Sequence, residues 1–150
     1  MFKKNQIKFE NNFDFNSISN LLSNGNFVSR IKSRWGESYI LESIFQIKNI
    51  NQSNKSLEEM YNNLNKLYNV KKANSDLDLF FSLIPGTRCN THSDKYDVYI
   101  VGAYGRTLYK VENKEYIVSS GDVLHIPPYN THTSISLDPR IIISFAVYNV

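Results

Sequence analysis

The sequence is short of cysteine, of net charge and of long apolar runs, and each shortage removes a class of protein. A single cysteine, Cys89, excludes an intrachain disulfide and fits a reducing compartment. No stretch approaches the ~18 consecutive apolar residues of a membrane-spanning helix. The opening Met1-Phe2-Lys3-Lys4 is charged, but no apolar run follows it as in a secretory leader. The expectation is a cytoplasmic protein. The formal net charge is only +3. Apart from Lys3-Lys4 and the alternating Arg30, Lys32 and Arg34, the basic residues are scattered like those of a solvated surface. That is a poor footprint for nucleic acid. Neither an internal repeat nor a linker divides the chain.

What is present is a globular composition. The 150 residues are 41% hydrophobic and 13% aromatic, enough for one domain with its own core. Asn occurs 19 times and Ser 17 times, a bias that reads as AT-rich coding rather than a functional tract. Residues 1–37 read as an N-terminal arm and a short helix, capped by Asp14 or Asn16 and stopped at Gly25. Residues 27–35 are ambiguous. A strand is expected over 38–50. The strongest local signal is a helix over 57–68. Ser56 and Glu59 form a capping-box pattern, and Leu57, Met60, Tyr61, Leu64, Leu67 and Tyr68 make one apolar stripe. That helix and Trp35 are expected to be structural. From Leu77 onward, short strands alternate with turn signals: 77–84, 88–94, 98–103, 107–111, 116–119, 123–126, 131–137 and 141–148. With the strand over 38–50 this predicts a mainly β barrel or sandwich over residues 38–150, covered by the 57–68 helix.

Three residues carry the chemistry. His92 and Asp94 stand at i and i+2, so in a strand both side chains leave one face. His132 follows 38 residues after Asp94, beyond Gly121-Asp122 and Pro127-Pro128. Two imidazoles and one carboxylate suit non-haem Fe(II), because they fill one face of an octahedron and leave the other open. Asp97 is the competing carboxylate, but its odd spacing from Asp94 places it on the other face. His125 reads as a core or pocket-lining residue.

The surrounding text resembles the JmjC type of cupin oxygenase. Gly86-(5)-His92-Ser-Asp94 and Gly121-Asp122-Val-Leu-His-Ile-Pro127-Pro-Tyr-Asn-Thr-His132 are similar to that family's two motifs, over residues 77–145. The resemblance implies a double-stranded β-helix with one or two N-terminal helices outside it. It further implies Fe(II) on His92, Asp94 and His132, and 2-oxoglutarate as co-substrate. The implied activity is hydroxylation coupled to oxidative decarboxylation of 2-oxoglutarate to succinate. Three positions depart from the family pattern. Thr107 replaces a basic residue that holds the far carboxylate of 2-oxoglutarate, Gly102 replaces a Gln, and Tyr129 replaces a Gly. Arg106 is adjacent to 107, but without a bulge it points to the opposite face. Tyr99, Thr107 and Tyr109 share strand parity and are expected to line the interior. Tyr99 and Thr107 are the expected anion contacts, aided by Arg88 or Lys110. The expected substrate is a small molecule or short peptide, and a homodimer is left open. The alternatives are a cupin metalloenzyme without 2-oxoglutarate, such as an isomerase or dioxygenase, and a metal-free ligand-binding cupin.

Overall fold

The computed structural model describes residues 1–9, 14–23, 27–28, 43–53 and 55–148, with the side chains of 21–23 and 27–28 left out. The expectations for Gly25 and Trp35, and for the strand's beginning at 38–42, fall outside these residues. The described elements are β1 (Phe2–Lys3), α1 (Phe15–Ser23), β2 (Phe27–Val28), β3 (Phe45–Ile47), α2 (Lys55–Leu67), β4 (Ser75–Ser82) and β5 (Arg88–His92). They continue with β6 (Asp97–Tyr104), β7 (Thr107–Val111), β8 (Lys114–Val118), β9 (Val123–Ile126), β10 (His132–Ser136) and β11 (Arg140–Val147).

The strands form two antiparallel sheets. A larger one has the order β1-β9-β6-β11-β4-β3-β2, and a smaller one β5-β10-β7-β8. From β4 onward the chain passes back and forth between them, which is the winding of a double-stranded β-helix, the cupin barrel. The fold class expected from the sequence is the one observed.

Strand alternation gives the larger sheet two apolar faces. Leu77, Leu79 and Phe81 of β4 and Ile141, Ile143 and Phe145 of β11 pack outward beneath Leu57, Tyr61 and Leu64 of α2. Val98, Ile100, Leu124, Ile126 and Ile142 face the barrel interior with Tyr109, Val111 and Val118. A helix covers one side and the second sheet the other, so β11 after its first residue is apolar on both faces except at Ser144.

Local chemistry sets several boundaries. Asp14 caps α1, its carboxylate accepting the amides of Asn16 (2.9 Å) and Ser17 (3.1 Å). Helix α2 begins at Lys55, one residue ahead of the expected cap Ser56, so Ser56 lies within the first turn. The turn joining β7 and β8 is centred one residue earlier than Asn113-Lys114, with Glu112 at φ 51°. Gly105 turns β6 into β7 at φ +65°, where an added Cβ would lie 2.2 Å from the Pro139 carbonyl oxygen.

Candidate metal centre

His92 ends β5 and His132 begins β10, and the two are direct partners across the antiparallel ladder. Facing residues on adjacent strands share a side of the sheet, so the two rings meet, with centroids 4.3 Å apart. Between His132 and Ser134 the register slips, because Ser134 pairs with Cys89. That gives β5 one extra residue, a bulge next to the site. Asp94 lies past the end of β5, so a bend, rather than the strand parity expected, carries its carboxylate to the histidines. The Tyr129 amide donates to the Asp94 carbonyl at 2.7 Å and ties this bend to the loop before β10. Tyr129 holds φ 63°, the left-handed region that glycine adopts most readily. This accounts for the glycine of the resembling family at this position.

Asp94 Oδ2 is 3.9 Å from His92 Nε2 and 3.7 Å from His132 Nε2. The ligand atoms of all three lie within 4.8 Å of one another, so one ion among them can reach each. The Nδ1 of His92 donates to the Asn90 carbonyl (2.7 Å), and that of His132 to the Asn130 carbonyl (3.0 Å). Each imidazole is therefore held through the carbonyl two residues earlier, leaving the Nε2 lone pair for a metal. Burial holds the His132 pKa below its ordinary value, which keeps the ring neutral and able to ligate. This donor set fits a hard-to-borderline divalent ion with open coordination positions, Fe(II) included.

Below the cluster the interior is polar in one strip. His132, Ser134 and Ser136 are the buried, inward residues of β10 and pair with Val111, Tyr109 and Thr107 of β7. Two strand residues span about 7 Å, so the strip descends from the metal cluster in two such steps. Across from it lies Arg140 of β11, 1% exposed. Its Nε donates to Ser82 Oγ (2.9 Å), and its Nη atoms donate to Ser134 Oγ (3.3 and 3.4 Å). No carboxylate among the described residues is within ion-pair distance of it. A buried guanidinium facing only hydroxyls is costly unless an anion joins it. Thr107 Oγ1 is also buried with no hydrogen-bond partner among the described residues. Tyr109 is 3% exposed; burial raises its pKa to about 12 beside Arg140 and Ser134.

The other expected anion contacts lie elsewhere. Tyr99 points to the helix-covered face of the larger sheet, stacked on Tyr68 (3.9 Å) and His125 (4.5 Å). Its parity with Thr107 does not carry across two strands belonging to different sheets. Arg88 pairs with Ile135, one step out of phase with the inward Ser134, so its exposed side chain faces away from the interior. Lys110 is exposed as well. Arg106 is outside and bonded to Asp138 at 2.7 and 3.0 Å, as strand parity predicts. Asp97 accepts from His125 Nε2 at 2.6 Å on the same outer face as Tyr99, away from the metal cluster. Gly102 leaves no room for the family's Gln: an added Cβ would meet the Ser119 carbonyl oxygen at 2.0 Å.

Arg140 was the residue sequence reasoning missed. A strand begun at Ile141 leaves it in a loop, whereas one begun at Arg140 puts it in phase with the inward-facing Ile142. A cation at the first position of a strand whose only other polar residue is Ser144 was the available signal.

The fold and the cluster define a cupin-type barrel with a candidate two-histidine, one-carboxylate metal centre. No family model and no curated protein matches the sequence. Solved structures do match the fold. The ribosomal oxygenase YcfD from Escherichia coli, in complex with cobalt and 2-oxoglutarate, superposes with a TM-score of 0.75 at 19% identity. A complex of the same protein with cobalt and succinic acid gives a TM-score of 0.76 at 19% identity. In both cases all of this chain is covered but only 48% of YcfD, so it spans about half that protein's length. The SPY1581 protein of unknown function from Streptococcus pyogenes matches with a TM-score of 0.54 and 10% identity, over 84% of this chain and 96% of its own. At these identities the likeness is one of fold.

Proposed function

We propose that this chain is an Fe(II)- and 2-oxoglutarate-dependent oxygenase, a single cupin domain over residues 1–150 that hydroxylates a small molecule or a peptide in a reducing compartment. The observation that carries the reading is Arg140, a buried cation without a carboxylate partner among the described residues. It bonds to Ser134, two residues along β10 from the ligand His132. A 2-oxo dicarboxylate held at the metal centre would have its far carboxylate within the same strip. Arg140 supplies a charge-assisted donor there, and the orphan Thr107 hydroxyl a second one. The basic residue missing at 107 is thus replaced by one from another strand.

His92, Asp94 and His132 would hold the iron, which when bound supplies the oxygen chemistry. The chain's own part is to orient and to keep dry. The two backbone-anchored imidazoles fix the ligand face, and Arg140 with Thr107 fixes the co-substrate. The wall of Val98, Ile100, Val111, Leu124 and Ile126 keeps water from the reacting centre.

The test is anaerobic titration with Fe(II) and 2-oxoglutarate, followed by the visible charge-transfer band of the chelate, and then by succinate release on adding oxygen. Asp94→Ala should abolish the band and lower the bound metal. A band that persists in Asp94→Ala would count against the site. Metal binding without any response to 2-oxoglutarate would favour a cupin metalloenzyme of another reaction type.

A further inference from the structure

A second polar cluster stands at the metal end of the barrel, and the metal centre and anion strip make no use of it. Asp76 and Asp78 occupy the inward parity of β4, alternating with the outward Leu77 and Leu79. The Tyr148 hydroxyl donates to Asp76 Oδ2 at 2.7 Å. The Tyr148 ring meets Tyr96 edge-on at 4.8 Å. Tyr96 is two residues past the ligand Asp94 and packs against the interior apolar cluster, so the group borders the metal loop. Gln46 of β3 completes it, donating from Nε2 to Asp78 Oδ2 at 2.7 Å. That bond orients the amide and leaves its Oε1 buried without a donor among the described residues, with Gln46 only 3% exposed.

The chemistry of the group is one-sided. Asp78 Oδ1 already accepts the Asn49 amide at 2.9 Å, so what the group still offers is the Asp76 carboxylate, the unmet amide oxygen, the negative charge of Asp78 and two aromatic rings. No lysine or arginine among the described residues lies within ion-pair distance of Asp76 or Asp78. The unmet Gln46 oxygen needs an N–H donor, and the carboxylates and rings favour a positive charge. We infer that this cluster is a substrate subsite for an organic cation bearing N–H groups, holding it at the mouth above the metal. The inference rests on the oxygenase reading and adds the substrate's chemical class.

The experiment titrates Co(II)-loaded protein with n-butylguanidinium and n-butylammonium, following probe and protein by NMR. Tetramethylammonium, which has no N–H, and butyrate serve as controls. Saturable binding of either N–H cation, weakened about tenfold in Asp78→Asn and severalfold in Gln46→Met, is the expected result. The tighter of the two identifies the headgroup. Cobalt should broaden the bound probe's lines, as required of a group held near the metal. Equal affinity in wild type and in folded Gln46→Met, or butyrate binding as well as the cations, would overturn the subsite. Saturable binding without broadening by bound cobalt would overturn its substrate role. If cobalt itself fails to bind, the oxygenase reading fails separately, and the same titration of metal-free protein still decides the cation site.

Discussion

The two faces of the larger sheet are made by the same strands and serve opposite ends. On β11 the outward residues are Ile141, Ile143, Phe145 and Val147, and the inward ones are Arg140, Ile142, Ser144 and Ala146. The outward set is packed dry against α2, where every contact adds stability and none offers a ligand site. The inward set accepts a buried cation and small hydroxyls that a stability-driven core would exclude. Adjacent residues on one strand therefore divide the work: burial of apolar area on one side, and on the other a buried cation hydrogen-bonded to hydroxyls.

Substitutions on either side should separate these roles. The largest effect is expected from Phe145→Ala, which empties a fully buried position on the dry face. It should lower stability by about 3–5 kcal/mol in denaturant titration while leaving metal stoichiometry intact in whatever fraction folds. Leu64→Ala on α2 should act in the same direction, by about 2–5 kcal/mol.

The inward face should instead reveal itself through pH. Tyr109 has a folded pKa raised to about 12 by burial, from an ordinary 10.0. Its contribution is therefore complete below pH 10 and is lost as pH rises toward 12, because the unfolded chain ionises first. The loss is on the order of 2–3 kcal/mol. Tyr109→Phe should flatten that part of the alkaline stability curve; an unchanged curve would show that Tyr109 is not the group responsible.

Arg140→Met gives the sharpest contrast between the faces. Removing a buried charge that has no carboxylate partner among the described residues should leave the melting temperature unchanged or raise it, while 2-oxoglutarate affinity falls at least about tenfold, equivalent to 1.4 kcal/mol. Calorimetry on the metal-loaded protein would measure both. The smallest effect is expected from Arg106→Ala. That exposed ion pair with Asp138 should change neither 2-oxoglutarate binding nor thermal stability measurably.

Much of this arrangement was legible in the sequence, for definable reasons. The grouping of His92, Asp94 and His132 could be read because motif spacing survives small errors in strand boundaries. The outer face could be read because Leu57, Tyr61 and Leu64 recur at helical spacing, and each packs where that spacing points. The polar interior strip could be read only in part. Thr107 and Tyr109 lie inside as expected, since both sit on β7 and share its parity. Tyr99 was misplaced because its strand belongs to the other sheet, and no local rule relates the parity of strands that face each other across a barrel. Arg88 failed through the bulge in β5, and Arg140 through a boundary set one residue late. Both are one-residue matters, and in a strand one residue reverses the face.

The edge position of β5 has a consequence for the tempo of the site. His92 stands on the outermost strand of the smaller sheet with 43% of its side chain exposed, while His132 stands on an interior strand with 7%. One candidate ligand is carried by a strand that can fray alone, and its partner by one hydrogen-bonded on both sides. An ion here would be exchanged by peeling back a single strand, without melting the barrel. Residence time at the centre would then follow the local opening rate of β5 and be insensitive to changes that stabilise the barrel as a whole.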